Sequence, residues 1–171
     1  MKREPEAIVA DIVAATGGSL VSRIRLQKIA YLLDKLGADS GFSFTYHHFG
    51  PYSRDLDSAI LDAELFQGVT ETYKYRESDG ARYSVFKVQN AQDREFTYLA
   101  KKELRDRAQD LAKQAVTVLE LAATANWLLK EERVADWKRE IERRKGPKLR
   151  NGRLKEAIDL LASLKLQPAS L

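Results

Sequence analysis

His47 and His48 stand a few residues ahead of Ser53, Asp55 and Asp57, and these are residue types from which hydrolytic triads and metal sites are built. Adjacent side chains on an extended strand point to opposite faces, so the two imidazoles do not converge on one ion. The chain has no cysteine and no third histidine to complete a transition-metal site. A nucleophilic serine needs a setting such as the Gly-x-Ser-x-Gly elbow. Ser53 follows Gly50-Pro51-Tyr52 instead and opens a helical stretch, where its hydroxyl suits an N-cap, with Asp55 favourable in the first turn. Gly17-Gly18 lacks the lysine of a phosphate-binding loop. The expectation is a chain without catalytic residues, metal or cofactor, and so not an enzyme.

Binding is the remaining class of function, and charge bears on it first. The net charge of +4 over 171 residues is unevenly placed. Lys138, Arg139, Arg143, Arg144, Lys145, Lys148, Arg150, Arg153 and Lys155 face only Glu140 and Glu142, so residues 138–155 carry +7 and the rest −3. This segment is the candidate phosphate contact, or else a solvated helix face and charged connector. It lacks interleaved aromatics for stacking single strands. Asp55, Asp57, Asp62 and Glu64 oppose phosphate on the helix after Ser53, with Arg54 alone against them. The hairpin that follows is nearly neutral. No apolar run approaches the length of a membrane span, Met1 to Pro5 lead into no signal-peptide core, and the lack of cysteine fits a reducing cytoplasm.

The elements that must position these groups follow from periodicity and breakers. Pro5 opens a helix stopped at Gly17-Gly18, and Leu26, Ile29, Ala30, Leu33 and Leu36 form the stripe of a second, with Lys28 and Lys35 facing solvent. Residues 42–49 alternate as a short strand broken by Gly50-Pro51. A third helix ends at Gly68. The alternation of 69–76 and the β-rich run 81–89, with Asp79-Gly80 between them, predict a β-hairpin over 69–89. From Arg94 to Glu131 there is neither glycine nor proline, and the pattern predicts one long helix or two. Helices over 134–144 and 152–164 complete the chain. Trp127 and Trp137 read as core. The fold expected is α+β and mainly helical. A winged-helix-like half, residues 1–93, precedes an all-helical half, residues 94–171, in a single domain.

Two segments carry a family resemblance. Arg25-Leu26-Gln27-Lys28-Ile29-Ala30-Tyr31-Leu32-Leu33 and Tyr46-His47-His48-Phe49-Gly50-Pro51-Tyr52-Ser53 resemble the YwgA-like bacterial and archaeal proteins. More distantly the chain is similar to the SocA-type antitoxin domain, also called Panacea. Phe49 stands where that family has tyrosine, and the strongly basic 138–155 segment departs from its pattern. The YwgA-like group assigns no catalytic residues, and the SocA-type relatives bind protein partners. The resemblance therefore implies a non-catalytic regulator, antitoxin- or adaptor-like, with partner contacts at Gln27, Lys28, Tyr31, His48, Gly50, Pro51, Tyr52 and Arg54. A DNA- or RNA-binding regulator using residues 138–155 is the alternative. Physically, Gln27, Lys28 and Tyr31 would pack on the Gly50-Pro51 turn, either to buttress it or to build a surface on it.

Overall fold

The computed structural model describes residues 3–167, so Met1 and Lys2 of the leader reading fall outside it. Helix α1 (Pro5–Ala15) starts at the proline and is buried along most of its length, with Ile8, Val9, Ile12 and Val13 fully enclosed. Strand β1 (Ser19–Val21) leads through an N-cap at Ser22 into α2 (Arg23–Lys35). Two three-residue strands follow, β2 (Thr45–His47) and β3 (Gly50–Tyr52), and then α3 (Arg54–Phe66). Strands β4 (Val69–Tyr75) and β5 (Arg82–Val88) form the long hairpin. The second half is helical: α4 (Lys102–Ala112), α5 (Val116–Lys130), α6 (Trp137–Lys145) and α7 (Arg153–Ser163).

The protein is thus α+β and mainly helical. Its sheet has the antiparallel order β1-β5-β4, with Leu20 opposite Phe86 and Tyr73 opposite Ser84. Three helices capped by this sheet make the winged-helix arrangement of the first half. Helix α1 packs on α3, while α5 runs through the core against α2, α6 and α7 and also touches β3. Val118, Leu121, Ala122 and Ala125 are fully or nearly fully buried because α5 is covered from several sides, so its apolar character is not confined to one stripe.

The structure differs from the sequence expectation at several elements. Residues 94–101 are not helical. Their backbone is claimed by Asp11, wholly buried in α1, which accepts from the N–H groups of Thr97, Tyr98 and Leu99 at 2.9, 2.8 and 3.0 Å and pairs with Arg94 at 2.7 Å. One carboxylate thereby satisfies three consecutive amides that a helix would have used differently. The stretch 102–130 is two helices, broken at residues 113–115, where Ala115 is extended (φ −62°, ψ 142°). Arg25 of α2 donates to the carbonyls of Ala112 and Gln114 and so satisfies the backbone exposed by that break.

Gly50-Pro51 continues the strand after a two-residue turn at His48-Phe49, and His47 pairs with Gly50, Tyr46 with Pro51, and Thr45 with Tyr52. A proline is tolerated there because a two-stranded ribbon consists only of edges. Lys28 is the clearest reversal: it is 1% exposed and not a solvent-facing lysine. Lys35 is partly covered and pairs with Glu131.

Candidate functional site

The β2–β3 turn lies on α2 and the first turn of α3, and the cleft between them has a volume of about 240 Å³. Gln27 fixes the junction. Its side-chain N–H donates to the Ser53 carbonyl at 2.8 Å, and its oxygen accepts from the Ser53 N–H at 2.8 Å. The same amide group also reaches Asp57 at 3.2 Å. Ser53 is wholly buried and accepts from the Leu56 N–H at 3.3 Å, so its hydroxyl caps α3. One turn later, Asp57 accepts from the Tyr52 hydroxyl at 2.5 Å and lies 3.4 Å from Arg23.

Lys28 supplies the cleft's buried cation. Its ammonium donates to the Pro51 carbonyl at 2.6 Å, which leaves two of its three N–H donors for other partners. Burial pushes its pKa down to about 8, against the pull of Glu120. Arg23 is held firmly charged by the hydrogen bonds to Glu71, two of 2.7 Å. Burial pulls Glu71 upward, but the hydrogen bonds from Arg23 and Ser84 hold it below the usual carboxylate range. The Tyr52 hydroxyl is pushed up, mainly by its hydrogen bond to Asp57. The His47 ring sits 4.6 Å from the Tyr52 ring at the cleft edge. The cleft thus combines an oriented, partly open carboxylate, the buried Lys28 ammonium and a rim of aromatic rings, with Arg23 engaged by Glu71 and Asp57. Such a set can hold an anionic ligand and take a proton from water.

Not all the candidate binding residues meet here. Gln27, Lys28, Gly50, Pro51 and Tyr52 do, and His48 lies in the turn with its carbonyl taken by Lys145 at 2.8 Å. Tyr31 points elsewhere, donating to Asn126 on α5 at 2.8 Å. Arg54 is exposed on α3, outside the cleft lining. Arg23, Glu71 and Asp57 escaped sequence reasoning as a group, because their spacing of 34 and 48 residues carries no local signal.

The basic segment also changes character. Lys145 is buried and bonds Glu120 of α5 at 2.8 Å, and Lys148 bonds the same carboxylate at 2.8 and 3.0 Å. Arg144 pairs with Glu132 and Glu140, and Arg143 with Glu140, which is held down to about 2 by those two arginines. Lys155 pairs with Asp159. Lys138 and Arg139 are exposed on α6, with the Lys138 ammonium 5.7 Å from the Trp137 ring. Arg150 is exposed and Arg153 half-buried near the start of α7. Glu120, Glu132 and Asp159 thus match part of the segment's positive charge within the fold, while Lys138, Arg139 and Arg150 stay exposed. Among the described residues no helix is long and apolar enough to cross a membrane.

A mainly helical α+β chain with this cleft can be set beside known proteins. No family model matches it. The chain is 31% identical over 128 residues to a protein of Thermus aquaticus named DNA ADP-ribosyl glycohydrolase, the match covering 70% of this chain and 34% of that protein. The chain therefore spans about a third of the length of the curated relative it matches. This similarity overturns two expectations drawn from the sequence: that the chain is a non-catalytic antitoxin- or adaptor-like regulator, and that it is not an enzyme. The relative is named for a hydrolytic reaction on DNA.

Proposed function

We propose that this chain serves the hydrolytic removal of ADP-ribose from DNA, as one module of a glycohydrolase, with the Arg23–Lys28–Tyr52–Asp57 cleft receiving the ADP-ribosyl group. The observation that carries the reading is the similarity to the DNA ADP-ribosyl glycohydrolase, reinforced by the chemistry of the cleft. An ADP-ribosyl group presents a diphosphate, an adenine and a ribose joined to the base through its anomeric carbon. The protonated Lys28 matches the diphosphate, and the rings of His47 and Tyr52 match the adenine. Asp57 is the group that would take a proton from water as the water oxygen bonds to the anomeric carbon; the electron pair of the glycosidic bond leaves with the DNA base, which receives that proton from Asp57 through solvent. The motifs that resemble YwgA-like sequences build this cleft, and membership of that family is part of the proposal.

The test is an oligonucleotide bearing one ADP-ribose, incubated with the chain and followed by mass spectrometry, with binding measured in parallel by anisotropy. The expected result is preferential binding of the modified over the unmodified oligonucleotide, and any release of ADP-ribose lost in Asp57→Asn. Equal affinity for the two oligonucleotides together with no release would overturn the proposal.

A further inference from the structure

The C-terminal ends of α2 and α5 border a cavity of about 200 Å³ that shares no lining residue with the ADP-ribose cleft. Its walls are aromatic: Tyr31 of α2, Trp127 of α5, and Phe42 and Phe44 from the loop between α2 and β2. Tyr31 and Phe44 meet edge to face, with 5.3 Å between centroids, and Trp127 is tilted against Tyr31 at 6.2 Å. The loop that carries the phenylalanines is tied down at both ends. Asp34 accepts from the N–H of Ser40 at 2.9 Å and from its hydroxyl, and the Ser43 N–H donates to Asp55 at 2.9 Å. The rings are therefore set in place before any ligand arrives, which lowers the entropy cost of binding.

The other lining residues are Asp34, Lys35 and Glu131. Asp34 is taken up by Ser40 and by the Tyr98 hydroxyl at 2.9 Å. Lys35 ends α2 and Glu131 is the C-cap of α5, so the negative ends of two helix dipoles adjoin the cavity and favour a positive charge there. The Lys35 ammonium already takes that place. It bonds Glu131 and stands 5.3 Å from the centroid of the Tyr31 ring. Its hold is weak. Both partners are partly exposed, and such pairs contribute little to stability. A primary ammonium is strongly hydrated and seeks an acceptor for each N–H, and ring faces offer it poor ones. A nitrogen that carries methyl groups in place of hydrogens needs no such acceptors. It lays the methyls against the rings, whose negative faces attract the charge.

We propose that this cavity binds an alkylated ammonium cation, with Tyr31, Phe44 and Trp127 as its walls and Glu131 as its counter-ion, once Lys35 has swung out into solvent. The cation belongs either to a free small molecule or to a methylated lysine side chain, which share this chemistry. The inference does not rest on the function proposed above.

The experiment titrates the intact chain by calorimetry with choline, with its neutral carbon analogue 3,3-dimethyl-1-butanol, and with one short peptide carrying either trimethyllysine or lysine. Choline or the trimethylated peptide is expected to bind and the neutral alcohol and unmodified peptide are not, because the attraction needs the charge and the methyl groups together. Binding of choline without the trimethylated peptide assigns the site to a free cation, and preference for the trimethylated peptide assigns it to a side chain. Phe44→Leu keeps the apolar bulk but removes a ring face, and it is expected to weaken binding about 2- to 30-fold. Glu131→Gln is expected to weaken it as well. Lys35→Met removes the competing ammonium and is expected to tighten it, a gain that a merely structural lysine would not give. Circular dichroism melts verify folding of the three variants. No binding of either methylated cation, equal binding of the neutral alcohol, unchanged affinity in Phe44→Leu, or weaker binding in Lys35→Met would overturn the proposal.

Discussion

Replacing Gly50 with alanine tests how the turn that floors the cleft is held. Gly50 has φ +88°, a conformation that L-residues adopt at a cost of about 1–3 kcal/mol. An added Cβ would also lie 2.6 Å from the Thr124 hydroxyl oxygen on α5, a distance that forces movement of a buried side chain. Overpacking of this kind costs about 1–3 kcal/mol, so Gly50→Ala is expected to destabilise by about 2–6 kcal/mol in total. At this chain length each kcal/mol shifts Tm by roughly 2–4 °C. Thr124 supplies the internal control. Its hydroxyl is buried without a hydrogen-bond partner, so Thr124→Ala removes a desolvated group and is expected to cost little on its own. In the Gly50→Ala background the same change opens the space needed, so the double variant should recover the clash component, about 1–3 kcal/mol, and retain the backbone component. Urea melts of the four proteins measure this cycle. A loss under about 1 kcal/mol for Gly50→Ala, or strict additivity in the double variant, would refute the reasoning.

Gln27→Ala strips both backbone groups of Ser53 of their partners in a buried setting, and an expected loss of about 2–4 kcal/mol is read from urea midpoints. Glu120→Gln leaves Lys145 and Lys148 without the carboxylate they share. An expected loss of about 3 kcal/mol is checked by thermal melts, in which the exposed pair variant Lys155→Ala should melt with the wild type. Lys28 gives a pH signature. Its folded pKa, about 8, lies below the ordinary lysine range, so between those values the unfolded chain binds more protons and stability rises with pH. Wild type should therefore gain on Lys28→Met as pH is raised from about 7.5 to about 10, and a constant difference in denaturation midpoint would contradict the burial of a titrating ammonium.

The long hairpin was legible because strict alternation over Val69–Tyr75 and the turn residues Asp79-Gly80 act between near neighbours. The N-cap at Ser53 and the helix start at Pro5 were legible for the same reason. The non-helical path of 94–101 was not, since nothing in that segment announces that Asp11, more than eighty residues earlier, takes three of its amides. β1 was missed because three residues between Gly18 and a cap are too few to show a period. Gln27 and Lys28 were recognised as residues that could serve the turn, yet Lys28 was placed in solvent, because helical spacing ranks faces only when one side of the helix is covered.

The sequence by itself determined the mainly helical α+β class, the long hairpin and the helix start at Ser53, all of which rest on interactions within a few residues. Only the tertiary structure decided which charges remain available to a ligand. Glu120 takes up Lys145 and Lys148 across 25 and 28 residues, and Glu71 takes up Arg23 across 48. An ion pair depends on distance in space, which composition along the chain does not encode. Part of the basic segment's charge is thus matched by acids elsewhere in the chain, while the nearly neutral hairpin comes to lie beside Arg25 of α2.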